Sequence, residues 1–275
     1  MSLERRLTKP LVVIKLGGSA LTDKTKIYTP RLSAIHKAAE QISFVQRKAQ
    51  LILVHGAGSF GHIPAKRYGL HRGFKDSDQI KGLATTKLKL LEWERILDGV
   101  FLRHGVHVVP FLASDFAEMK AGRISRVELS PIRDWLHLGC TPIIGGDIVR
   151  DANGGFSILS GDQLAAYLAI KLKAKRLVFG LDVDGLFDSN PKLNKQARLL
   201  GDVTPTMAMH YATISVGGTV PDVTGGMAGK VIEGVVAARH GVPVYFVSLT
   251  KDNRLRKTAL GQRVIASSIR PDGHL

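Results

Sequence analysis

Leu11-Val12-Val13-Ile14-Lys15-Leu16-Gly17-Gly18-Ser19 is a run of apolar, mostly β-branched residues that stops on two glycines. Apolar residues at consecutive rather than alternate positions predict a strand buried on both faces, as in a parallel sheet with helices above and below. Similar runs follow at Leu51–Val54, Val106–Phe111, Pro142–Gly145, Arg176–Leu181 and Val244–Val247. Helix-like stretches separate them, at Arg31–Lys48, Ile80–Arg103, Ser130–Leu138, Gly161–Lys173 and Gly225–His240. The expected fold is α/β, an open αβα sandwich with a mainly parallel central sheet. Two hairpins interrupt the alternation, one turning near Ala121-Gly122 and one at Asn153-Gly154-Gly155. No repeat or linker divides the chain, so 1–275 reads as one domain with a soft division near Lys175.

With 275 residues, 44% of them apolar, the chain can bury a sizeable core. Its one cysteine, Cys140, excludes an internal disulfide or a cysteine-based zinc cage, points to a reducing compartment, and is expected to be a buried structural thiol. The first apolar run is short and broken by Lys15, unlike an export signal, and no stretch has the ~18 apolar residues of a membrane helix. A cytoplasmic protein is therefore expected, without membrane contact. The net charge of +16 is compatible with a lysine-rich surface or with anionic small molecules. Basic residues are spread along the chain, with no basic tail and no RNA-binding aromatic motif, so nucleic acid is not an expected partner.

In parallel α/β sheets, ligands sit at the carboxyl ends of the strands. Three glycine-rich turns occupy that position. At Lys15-Leu16-Gly17-Gly18-Ser19 the backbone N–H groups can approach an anion, with Lys15 at the strand end and Lys24 further along the loop. His55-Gly56-Ala57-Gly58-Ser59-Phe60-Gly61-His62 matches a dinucleotide fingerprint only weakly, because no acidic residue closes the next strand. A phosphate cradle with the loop histidine His62 as extra donor fits better. Thr224-Gly225-Gly226-Met227-Ala228-Gly229-Lys230 looks like a P-loop but is one residue short, and Val231 stands where the metal-holding Ser/Thr would be; Thr224 can cap the helix that follows. Two acidic sites complete the set. Ser160-Gly161-Asp162 opens a helix, where Asp162 is either a helix-start charge or the orienter of two lysines. Asp182 ends the fifth strand, placed for a ribose or for its own loop, and Asp184-Gly185 reads as turn chemistry.

Taken in order, Lys-x-Gly-Gly-Ser, His-Gly-x-Gly, Ser-Gly-Asp, Asp-Val-Asp-Gly and Thr-Gly-Gly-Met-x-Gly-Lys span Lys15 to Lys230. This set resembles the amino acid kinase family, which includes acetylglutamate, aspartate and uridylate kinases. Within it, residues 55–62, 121–125 and 158–164 are similar to the isopentenyl phosphate kinase group. The resemblance implies that Gly17, Gly18 and Ser19 embrace the ATP phosphates, with Gly229 close by. Lys15 and Lys230 would neutralise the transferring group, and Asp162 would hold those lysines. Lys24 would steady the transition state. Gly56, Ala57, Gly58 and Gly161 would line the acceptor phosphate site, with His62 donating to that phosphate. Asp182 would meet the nucleoside, although Leu181 replaces the Thr that many members carry before it. The lobes would be acceptor-binding over 1–175 and nucleotide-binding over 176–275. Implied partners are ATP and isopentenyl phosphate, giving isopentenyl diphosphate for isoprenoid synthesis, in a homodimer. Mg²⁺ would ride on nucleotide oxygens and water, with no protein ligand assigned.

A phosphate acceptor agrees with the residues themselves. A phosphate monoester has its second pKa at ~6 and needs no base to become a nucleophile. No clear base candidate is present, though His62 could serve a hydroxyl acceptor. Several positive groups are available to offset repulsion between two anions. The alternatives are a kinase of the same fold acting on a carboxylate, a nucleotide or another phosphorylated metabolite, and a binder without turnover.

Overall fold

The computed structural model describes residues 9–23, 25–215 and 226–270. The chain opens with β1 (Leu11–Leu16), a single turn α1 (Gly18–Leu21), a small ribbon of β2 (Thr22–Asp23) and β3 (Thr29–Pro30), then α2 (Leu32–Val45) and β4 (Gln50–His55). Next come α3 (Gly58–Arg67), the long α4 (Asp78–Arg103), β5 (Val108–Phe111) and the short α5 (Ala113–Phe116). A hairpin of β6 (Ala117–Lys120) and β7 (Arg123–Val127), then α6 (Ser130–Leu138), lead to β8 (Thr141–Gly145). A second hairpin, β9 (Asp147–Asp151) with β10 (Gly155–Leu159), precedes α7 (Gly161–Lys171) and β11 (Arg176–Leu181). The chain closes with β12 (Asp202–Val203), α8 (Pro205–Ser215), α9 (Gly226–Arg239), β13 (Val244–Ser248), α10 (Arg254–Ala259) and β14 (Ser267–Ile269).

The central sheet has eight strands in the order β12-β14-β13-β11-β1-β4-β8-β5. All neighbours are parallel except β13 and β14. Successive side chains of β1 enter opposite cores, as a strand's period of two requires. Val13 joins Ile52, Val54, Leu177 and Phe179 beneath α7 and α9. Val12, Ile14 and Leu16 join Leu51, Leu53 and Val178 against α2 and α4. The doubly covered α/β sandwich expected from the apolar runs is thus present. β6, β7, β9 and β10 form a separate four-stranded sheet from the two expected hairpins.

Three local expectations need correction. His62 lies on a helix, α3, not in a loop. Gly58, Gly61 and Pro64 give that segment poor helix propensity, and tertiary packing overrides it: Phe60 stacks on Trp93 at 5.2 Å and the Ser59 N–H is held by Thr22. Cys140 is half-buried rather than buried: it follows the exposed end of α6, which Gly139 closes in the left-handed conformation. The strand expected over Val106–Phe111 is shorter, for pairing of β5 starts at Val108; Val106 is core, folded back so that its N–H donates to Phe101 O.

Candidate active site

Parallel register brings the ends of four strands level: Leu16 lies opposite His55 and Gly180, and His55 opposite Gly145. The turns beyond those ends are laced together. The Gly17 N–H donates to Gly180 O at 2.9 Å, Gly56 N–H to Leu16 O at 3.0 Å, and Gly146 N–H to His55 O at 3.0 Å. The first two turns touch backbone to backbone: a Cβ on Gly18 would fall 2.8 Å from Gly58 N, and one on Gly56 would fall 2.9 Å from Gly18 N. No side chain fits there, which explains the glycines. Thr22 fastens the pair, its hydroxyl donating to Gly18 O at 2.9 Å and accepting the Ser59 N–H at 3.0 Å.

Lys15 shares the Val13 face of β1, beneath α7 and α9, and so meets the first turns of both helices. Its ammonium lies 2.8 Å from Asp162 Oδ1, and Lys230 Nζ lies 3.2 Å from Asp162 Oδ2 and 3.1 Å from Gly226 O. Lys15 and Asp162 are each 3% exposed. Ser160 caps α7 as expected, its Oγ accepting the Asp162 N–H at 3.1 Å. Burial alone would raise the Asp162 carboxyl, but Lys15 and Lys230 outweigh it and hold the group below its ordinary value. A carboxylate shared by the buried Lys15 and the half-buried Lys230 keeps both cations in place without neutralising them fully.

These groups head an open cleft with about 640 Å³ of empty space, its solvent-filled mouth included. Of the sequence candidates, Lys15, Gly18, Ser19, Gly56, Ala57, His62, Gly161, Asp162 and Lys230 line it. Gly17 and Gly58 sit behind it in the turns, Gly58 with φ +53°, and Gly229 directly precedes Lys230. Asp182 stands apart, just past β11, in an ion pair with Lys192. Asp184 takes Lys251 and Arg254, both at 2.8 Å. Lys24, Thr224 and Gly225 lie outside the described residues.

The far end of the cleft is apolar, from Ala65, Leu90, Ile148 and Ile158. From α4, Leu90 reaches this wall, with Thr86 beside the cleft. Leu83 packs into a side cluster, and Trp93 is fully buried behind the second turn, donating from Nε1 to Gly56 O at 3.0 Å. His55 is buried beside Trp93, and burial lowers it to about 4, so it is neutral and structural.

Asp147 was missed. It follows the glycine pair Gly145-Gly146, a fourth strand-to-glycine turn that repeats the signal read at Gly17-Gly18. Its carboxylate is 5% exposed and receives Lys87 at 2.7 Å and the Ser114 N–H at 3.0 Å. This pair ties α4 to β9, the two elements that supply Leu90 and Ile148.

Behind it, burial raises Glu94 to about 8, with Asp147, Asp98 and Asp115 adding to the rise and Lys87 opposing it. Burial likewise raises Asp98 to about 7, and its Oδ1 has no hydrogen-bond partner among the described residues. Both groups bind protons more tightly folded than unfolded. Their contribution to stability is complete below pH ~4 and is lost as pH rises towards about 8. A unit of pKa difference is worth ~1.4 kcal/mol, and partial solvent exposure trims the loss to about 1–2 kcal/mol per carboxyl. Glu94→Gln and Asp98→Asn should therefore flatten the decline in unfolding free energy between pH 5 and pH 8, measured by denaturant titration. An unchanged slope in both variants would contradict the assignment.

The family model of the amino acid kinase family matches residues 10–248. Isopentenyl phosphate kinase of Methanothermobacter thermautotrophicus is 32% identical over 94% of this chain and 98% of its own length. A crystallised isopentenyl phosphate kinase superposes with a TM-score of 0.81 at 29% identity, covering 94% of this chain and 99% of that one. The Thermoplasma acidophilum isopentenyl phosphate kinase, solved as a product complex, gives 0.78 at 25% identity over 94% and 100% of the two chains. The family model covers well over half of the sequence, and the chain belongs to the amino acid kinase family.

Proposed function

We propose that this kinase transfers the γ-phosphoryl group of ATP to isopentenyl phosphate, giving isopentenyl diphosphate and ADP. The observation that carries the reading is the two-ended cleft: Lys15, Asp162 and Lys230 with the glycine turns at one end, and Ala65, Leu90, Ile148 and Ile158 at the other. A five-carbon phosphate ester has that polarity. Glutamate and aspartate do not, since both their ends are charged.

In this reading ATP lays its phosphates along Gly17, Gly18 and Ser19, with Gly229 and Lys230 above them. The acceptor phosphate rests on Gly56, Ala57, Gly58 and Gly161, with His62 donating to it. An acceptor oxygen attacks Pγ in line while the bond to the ADP oxygen breaks, and no proton needs removing. Lys15, Lys230 and Lys24 stabilise charge on the transferring group, where fixed cations act with little reorganisation. Asp182 is the nucleoside contact. The two carboxylates on the cleft, Asp162 and Asp147, are both taken up by lysines, so the described residues do not fit a protein-held Mg²⁺; the ion would arrive on ATP oxygens and water. Residues 1–175 supply the acceptor site and the Gly17-Gly18-Ser19 phosphate turn, and 176–275, the nucleotide-binding lobe, adds Asp182, Gly229 and Lys230.

The proposal includes a homodimer in the cytoplasm. Exposed Leu88, Leu91 and Leu102 along α4 support the first, and the single cysteine the second. Among the described residues no helix is long and apolar enough to cross a membrane.

The test is ADP release with Mg·ATP and isopentenyl phosphate, run beside glutamate, aspartate, UMP and isopentenol. Saturable turnover selective for isopentenyl phosphate is expected. Preference for isopentenol or an amino acid would overturn the acceptor assignment.

A further inference from the structure

The hairpin of β6 and β7 touches both partners of the Lys230–Asp162 ion pair at one remove. On the α7 side its target is Gln163, the residue after Asp162 and only 7% exposed. The Gln163 side chain accepts the Ile124 N–H at 2.8 Å and donates to Gly122 O at 3.4 Å. On the α9 side its target is Glu233, also 7% exposed and three residues after Lys230, hence on the same helical face. Arg123 donates to both oxygens of the Glu233 carboxylate, from Nη1 to Oε1 and from Nη2 to Oε2 at 3.2 Å. Successive residues of one strand thus grip the helix that carries Asp162 and the helix that carries Lys230.

The hairpin itself is held stiffly. At its tip Ala121 and Gly122 both have positive φ, +51° and +73°. Their N–H groups donate to the Asp151 carboxylate at 3.2 and 2.9 Å, and that carboxylate also receives the Asn153 N–H at 2.9 Å and the Ser157 hydroxyl at 2.6 Å. The tip is therefore tied to the second hairpin, β9 with β10. By contrast, α7 and α9 bring mostly short side chains to their shared core, including Ala165, Ala169, Ala228 and Val231. Small side chains allow close approach but resist axial sliding poorly, whereas a bidentate guanidinium–carboxylate pair fixes both distance and angle.

We infer that the β6–β7 hairpin is a splint that sets α9 against α7, and that Arg123, with Glu233, is a positioning residue for the Lys230 ammonium. The inference rests on the assignment of Lys230 to the transferring phosphoryl group. It adds that the placement of Lys230 is governed from a hairpin outside the cleft. Arg123 is 55% exposed in its side chain, so its replacement leaves the cores intact.

The test uses the full chain with Arg123→Ala, Arg123→Lys, Glu233→Ala and the double alanine variant, in two assays. Turnover is measured with the acceptor the wild type uses, and Mg·ATP binding is measured by calorimetry without acceptor. Misplacement of a catalytic group by about 1 Å can cost up to ~10²-fold, so Arg123→Ala should lower kcat by about 10- to 100-fold. The acceptor KM should stay within about twofold, because the turns at Gly56 and His62 are untouched. Mg·ATP affinity should fall several-fold. The double variant should be no worse than the worse single one, since both remove the same link. Arg123→Lys should recover only part of the loss, an ammonium being unable to span both oxygens. Unchanged kcat and ATP affinity in folded Arg123→Ala would overturn the splint, as would an equal loss expressed in acceptor KM. A wild type inactive on isopentenyl phosphate but active on another acceptor would overturn the substrate assignment instead, and both assays would still decide the splint.

Discussion

Lys15→Ala should lower kcat by roughly 10²- to 10³-fold, the scale seen when one preorganised stabiliser of transition-state charge is removed. The expectation follows from burial as much as from charge. Lys15 is 3% exposed, at the end of a strand locked between two parallel neighbours, so little solvent reorganisation opposes its field. Its loss has a second effect. Asp162 would keep Lys230, at 3.2 Å, as its remaining cation and draw that ammonium inward, away from the cleft. The double variant with Lys230→Ala should therefore lose less than the product of the single losses. Removing one partner of a buried pair also destabilises, by up to ~3–5 kcal/mol when the other charge is left alone. Here Lys230 remains, so the unfolding free energy should fall by less. Single-turnover rates and denaturant titration of the same preparation separate the two effects. A kcat within threefold of wild type in a folded variant would remove Lys15 from the reaction.

His62→Ala is expected to act on a different quantity. Residues 57, 61 and 65 place one side of α3 on the cleft, and His62 adjoins them. Loss of a hydrogen bond to a charged group costs ~1.5–3 kcal/mol, so kcat/KM for isopentenyl phosphate should fall by about 10- to 100-fold. The KM for ATP should hardly move. His62→Gln, which keeps a donor, should recover part of the loss. If ATP KM rose as much as acceptor KM, His62 would belong to the nucleotide side, and the case for a phosphate acceptor would weaken.

The sequence carries most of this architecture where local pattern and tertiary demand agree. β1, β11 and α6 begin and end where the apolar runs and caps place them. The Lys15–Asp162–Lys230 cluster was also legible, since each member stands at a strand end or in the first turn of a helix. Three features were not. The helical state of 58–67 depends on Phe60 stacking on Trp93 and on the Thr22 hydroxyl, neither visible in a Gly- and Pro-containing segment. The antiparallel return of β14 beside β13 follows three residues, Ser267–Ile269, too few to show a period. Asp147 reads as an ordinary acidic residue until Lys87 is seen beside it, and that partner lies on α4, 60 residues earlier.

The charge cluster joins distant parts of the chain: Lys15 comes from the first strand, and 68 residues separate Asp162 from Lys230. A growing or half-collapsed polypeptide owns Lys15 and the first two glycine turns well before it owns Asp162 and Lys230, which complete the cluster. Phosphoryl transfer is then a property that switches on only with the last long-range contacts, so an immature chain cannot squander ATP on water. In a refolding experiment, catalysis would be the final signal to return, arriving after the Trp93 side chain had already left solvent.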